Sequence, residues 1–183
     1  MPSAMVNILA LLAAVLWMWG CSSAENQGES VPPPSIPRTP ASVFELKDTA
    51  GNLLSSSQLT GKWVVVNIWA TWSPHSAREI PELIQLHRKW ENGDAVVIGL
   101  AVDERGEEEV KPFLQRMGVN YPVACVDMPT IRRLFGEIDA IPTTFIIDPT
   151  WRLANRHTGY TGGRMLENEI KIFKKEAAEA GTQ

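Results

Sequence analysis

Between Lys62 and Ala70 the chain reads Lys-Trp-Val-Val-Val-Asn-Ile-Trp-Ala, a run of β-branched and aromatic residues broken by one amide. Polar and apolar residues do not alternate here, so a strand over this run is covered on both faces, as in the middle of a sheet layered between helices. The flanking patterns agree. Ile80, Leu83, Ile84 and His87 recur at helical spacing, with Trp90 one turn further on. Ala95 to Val102 reads as a second buried strand, and Glu107 to Met117 as a helix bent by Pro112. Pro122 to Val126 is predicted as a short strand and Thr130 to Phe135 as a short helix. Thr143 to Ile147 and Leu153 to Thr158 form a hairpin turning at Asp148-Pro149, and Leu166, Ile170 and Phe173 mark the inner face of a last helix. Upstream, Val43 to Leu46 and Leu53-Leu54 flank the turn Asp48-Thr49-Ala50-Gly51-Asn52 as an N-terminal hairpin. Strands alternating with helices and closed by a hairpin predict an α/β domain with a central mixed sheet flanked by helices.

That domain is expected over residues 41–183. Residues 1–21 have a different character. Ile8 to Leu16 is an apolar run, continued by Trp17, Met18 and Trp19 and ending at Gly20-Cys21. Its length suits the apolar region of a secretory signal better than a full bilayer span. Leu16 to Cys21 resembles the end of a bacterial lipoprotein signal, which implies lipidation of Cys21. An uncleaved anchor and other processing are the alternatives. All three readings export the domain, which is expected in the cell envelope, membrane-anchored on the extracytoplasmic side. Residues 22–40 are rich in Ser, Glu, Asn, Gln and Pro, too polar to bury a core, and read as an extended spacer of roughly 25 to 50 Å.

Composition removes several function classes. A net charge of −4 and no cluster of Lys and Arg argue against nucleic-acid binding. His75, His87 and His157 stand apart, and the two cysteines, Cys21 and Cys125, have no zinc-ligand spacing, so no metal and no cofactor is expected.

Residues 69–81 read Trp-Ala-Thr-Trp-Ser-Pro-His-Ser-Ala-Arg-Glu-Ile-Pro, directly after the buried strand and opening the helix. This segment resembles the active site of TlpA/ResA-type thiol–disulfide oxidoreductases, which carry Trp-Cys-x-x-Cys on a thioredoxin-like fold. Gly61-Lys62 before the strand, Glu79 and Pro81 in the helix, and Ile141-Pro142-Thr143 before a late strand extend the resemblance. It implies a cis bond at Pro142, facing the reactive pair, and an acidic residue, Glu79, below that pair.

The chain departs from the family at the reactive atoms. Ser73 and Ser76 stand where the thiols belong. In such proteins a thiolate at a helix N-terminus attacks a disulfide and a second thiol resolves the product. Hydroxyls form no counterpart of that bond, so dithiol exchange through Ser73 and Ser76 is not expected. Ser73 before Pro74 instead reads as an N-cap with Pro at N1. Activation of Ser73 by His75 is disfavoured, because residues two apart on a helix do not face each other. Glu79, with no thiol to tune, reads as a first-turn acid favouring the helix dipole. Asn67 offers no titratable group beneath the site, and Cys125 reads as a packed, inert thiol.

Three functions remain. The favoured one is noncovalent recognition of an extended polypeptide or an envelope protein in a groove lined by Trp72, Ser73, His75, Ile141, Pro142 and Thr143. The second is redox chemistry through Cys125 or an unidentified group, and the third is a peroxiredoxin-like peroxidase.

Overall fold

A computed structural model describes residues 38–90 and 93–180. The expected anchor and Cys21 lie outside the described residues, as does the spacer up to residue 37. In chain order the elements are β1 (Thr39–Pro40), β2 (Glu45–Lys47), β3 (Leu53–Ser55), α1 (Ser56–Leu59), β4 (Trp63–Trp69), α2 (Pro74–Trp90), β5 (Ala95–Ala101), α3 (Glu107–Met117), β6 (Val123–Cys125), α4 (Met128–Phe135), β7 (Thr143–Ile147), β8 (Arg152–Thr158) and α5 (Gly163–Ala180).

Six strands form one sheet in the order β1-β8-β7-β4-β5-β6. β4, β5 and β6 run parallel, while β7 is antiparallel to β4 and β8 to β7. β4 lies centrally, and all seven of its residues are buried. Its side chains divide by parity, as a pleated strand requires. Trp63, Val65 and Trp69 join a layer with Ile80 and Leu83 of α2, Val110 and Phe113 of α3, and Leu166 and Ile170 of α5. Val64, Val66 and Ile68 face the other layer, with Phe44, Leu59, Ile131 of α4 and Trp151. Each fully buried aliphatic side chain contributes roughly 1.5–3 kcal/mol of transfer free energy. The thioredoxin-like α/β fold expected from the sequence is therefore the fold observed.

Local chemistry sets the boundaries. The hairpin β2–β3 turns on Asp48, whose Oδ1 accepts from the amides of Ala50 (3.0 Å) and Asn52 (2.7 Å). α3 ends at Gly118, which has φ 66 in the left-handed region. α4 starts two residues before its expected first residue, because Asp127 caps it by accepting from Thr130 N–H at 2.8 Å. Two elements went unanticipated. α1 is announced by Ser55 and Gln58, whose Oε1 accepts from the Ser55 amide at 3.2 Å. Thr39 and Pro40, assigned by composition to the spacer, pair with Leu153 and Arg152 at the sheet edge. Short edge pairings of this kind leave little periodicity to read.

Candidate functional site

The carboxyl ends of β4 and β5 lie at the same end of the sheet, where β4 has a parallel neighbour on one side and an antiparallel one on the other. Open α/β sheets place ligands in crevices outside the carboxyl ends of their parallel strands. The β4–α2 connection emerges there. Its backbone is held by Asp103 in the β5–α3 loop, which accepts from Thr71 N–H (3.0 Å to Oδ1) and from the Thr71 hydroxyl.

Ser73 caps α2: its Oγ accepts from Ser76 N–H at 3.2 Å, and its carbonyl accepts from Ala77 N–H at 3.0 Å. The same Oγ donates to the carbonyl of Ile141 at 3.1 Å. Ile141-Pro142 is a cis peptide. One hydroxyl thus ties the start of α2 to the Pro142 loop across 68 residues of sequence. Its proton is committed to the Ile141 carbonyl and one of its lone pairs to the cap. His75 is exposed, one position past the helix start.

Of the six groove residues expected from the sequence, the fold brings together the 72–75 and 141–143 segments. Trp72 is 66% exposed beside the mouth and Ile141 is half-buried. Pro142 and Thr143 are buried, and the Thr143 hydroxyl donates to Ala140 O at 2.7 Å. The accessible surface of the groove therefore belongs to Trp72, His75 and Ile141.

Glu79 corrects one expectation. It is not a solvent-facing partner of the helix dipole but is fully buried, on the inner face of α2 with Ser76. With Pro74 as the first helical residue, Glu79 falls in the second turn, below the mouth. Burial raises its pKa from 4.5 to about 8. The Thr144 hydroxyl, the Thr161 amide and the Asn67 amide oppose that rise, and nearby Glu82 adds to it. The carboxyl is thus predominantly protonated at neutral pH. Asn67 also proves to be part of the site: its Nδ2 donates to Thr144 Oγ1 (2.9 Å), which donates to Glu79 Oε1 (3.0 Å). Sequence reasoning missed Thr144, although a polar residue within a buried strand was the available signal.

Cys125 ends the edge strand β6, half-buried and packed against the α2-side layer. Burial, with Glu107 and Asp103 nearby, pushes its thiol up to about 11. That disfavours the thiolate on which cysteine reactivity depends.

Comparison with known proteins places this geometry in a family. The AhpC/TSA family matches residues 37–156. The chain is 29% identical over 133 residues to thiol-disulfide oxidoreductase ResA of Bacillus subtilis, covering 72% of each chain. It is 29% identical over 182 residues to thiol:disulfide interchange protein DsbE of Escherichia coli, covering 96% of this chain and 95% of that protein. A thiol:disulfide interchange protein of the thioredoxin family from Chlorobium tepidum superposes with a TM-score of 0.68 at 31% identity, over 75% of this chain and 97% of that one. The chain belongs to the AhpC/TSA family and has the thioredoxin-like fold of the ResA- and DsbE-type thiol–disulfide oxidoreductases.

Proposed function

We propose that this protein is a cell-envelope member of the thiol–disulfide oxidoreductase family that performs no dithiol exchange at its α2 mouth and binds an extended polypeptide or an envelope partner there noncovalently. The observation that carries the reading is the state of Ser73. Its oxygen holds two hydrogen bonds within the fold, to Ser76 N–H and Ile141 O, in place of a reactive sulfur. A binding surface remains beside it in exposed Trp72 and His75 and half-buried Ile141. An aromatic ring next to a half-buried aliphatic side chain suits an apolar side chain of an extended strand. The envelope assignment rests on the signal-like N-terminal 21 residues, with Cys21 as the lipidated residue.

The test is capture from native membranes with Trp72→Ala and Ile141→Ser variants. Loss of the captured partner in both supports the reading, and undiminished capture refutes it. A paired control replaces Ser73 and Ser76 by cysteine. If this site corresponds to the family's redox site, the double variant forms an intramolecular disulfide detectable by thiol titration. A folded double variant that forms none refutes the correspondence. Disulfide-reductase and peroxidase assays on the unmodified protein, with Cys125→Ser alongside, address the redox alternatives: robust turnover lost in Cys125→Ser would replace the binding reading.

A further inference from the structure

Arg78 is denied the partner a helix would ordinarily give it. It is exposed on α2, three residues past His75. Its natural ion-pair partner is four residues further on, at Glu82. Glu82 is engaged elsewhere: Oε1 accepts from the Tyr160 hydroxyl, and Oε2 accepts from the Gly163 amide at 2.8 Å. Two glycines permit that close fit. A Cβ at residue 162 would meet Glu82 Oε2 at 3.2 Å, and one at residue 163 would meet the Glu82 carbonyl oxygen at 3.0 Å. No ion pair among the described residues includes Arg78. Its guanidinium lies instead over the Tyr160 ring, 4.4 Å from the centroid.

The pair borders the mouth. Thr158 is paired with Thr143, and the next amide, of Gly159, donates to Pro142 O at 2.8 Å. Tyr160 therefore continues directly from the strand end that backs the cis-proline loop, and Arg78 reaches it from the helix that Ser73 opens. Half-buried and tied by its hydroxyl to Glu82, Tyr160 is a fixed platform. An exposed guanidinium resting on a ring still directs N–H donors outward, and its planar fork matches the two oxygens of a carboxylate. Stacking restricts the long side chain before a ligand arrives, so less freedom is lost on binding. The two acids on this stretch of α2 do not compete. Glu82 is occupied, and Glu79 is buried.

We infer that Arg78, stacked on Tyr160, forms a carboxylate-binding subsite beside the mouth. It selects an extended polypeptide that carries an acidic side chain, or its own C-terminal carboxylate, next to the apolar side chain received by Trp72 and Ile141. The inference rests on the groove reading proposed above and adds the charge of the partner to it.

Capped, dye-labelled octapeptides with one leucine at the fourth position test it on the full-length protein. Aspartate is scanned through the other positions, each peptide is compared with its asparagine counterpart, and a second set carries a free C-terminal carboxylate against the amide. Fluorescence anisotropy should show at least one acidic peptide binding about three- to tenfold more tightly than its neutral counterpart at low salt. That preference should shrink as salt is added. Gain in the aspartate set identifies a side-chain carboxylate, and gain only in the second set identifies a chain terminus. Arg78→Gln should bring the ratio to one while the leucine still matters, and Arg78→Lys should restore only part of the preference, since it keeps the charge without the fork. Two outcomes overturn the subsite and leave the groove reading intact: binding that needs Trp72 but treats acidic and neutral peptides alike, and an acidic preference undiminished in Arg78→Gln. Absence of binding by every peptide overturns both.

Discussion

Replacing Glu79 by glutamine should reshape the stability of this protein with pH. In the folded chain the carboxyl titrates at about 8, against 4.5 for the ordinary group. Between those values the native state holds a proton that the unfolded chain releases, so stability falls as pH rises, by up to about 1.4 kcal/mol per pH unit. The penalty is absent below the unfolded value, amounts to about 3 kcal/mol at neutral pH, and reaches a ceiling of about 5 kcal/mol above pH 8. Glutamine preserves shape and hydrogen bonding and does not titrate. Urea unfolding of both proteins from about pH 4 to about pH 9.5 isolates the effect. The stability of wild type minus that of Glu79→Gln should decline by about 3 kcal/mol between pH 4.5 and neutrality and flatten above pH 8. The comparison across pH cancels any fixed packing difference of the amide. Parallel profiles would mean that Glu79 ionises as it does in water, and would refute burial as the cause of its raised pKa.

Three shorter predictions follow from the same geometry. Ser73→Ala removes both the cap on α2 and the tie to Ile141, and should cost about 1.5–3 kcal/mol in urea unfolding with faster amide exchange at Ser76; an unchanged midpoint would contradict the bonds described. Gly99→Ala forces a methyl against Trp69 Nε1 at 2.8 Å and Val123 Cγ2 at 3.0 Å, and should destabilise by about 1–3 kcal/mol, read as a lowered Tm. Cys125, with its thiol pushed to about 11, should react slowly with iodoacetamide at neutral pH and accelerate as pH climbs toward that value; rapid labelling of the folded protein at neutral pH would reverse the assignment of an inert thiol.

Much of the fold was legible because its strongest signals are local. The unalternating run at 62–70 marked a strand covered on both faces, and helical spacing from Ile80 marked its partner. Ser73-Pro74 announced the cap. Glu79 was misread and the bond between Asn67 and Thr144 went unseen for a common reason. Which way a helical side chain faces depends on where the sheet lies, and a single amide in a strand gains meaning only from the residue paired across from it. β1 and α1 escaped because elements of two and four residues carry almost no periodicity.

The sequence by itself determined that hydroxyls replace thiols at the start of α2, and that the strands and helices alternate. Those facts are written in residue identity and spacing. Only the tertiary structure decided that Ser73 spends its proton on Ile141 and that Glu79 is enclosed and bonded to Thr144. Each of these depends on contacts between segments distant in the chain, and the dielectric and geometry around a group exist only once those segments pack.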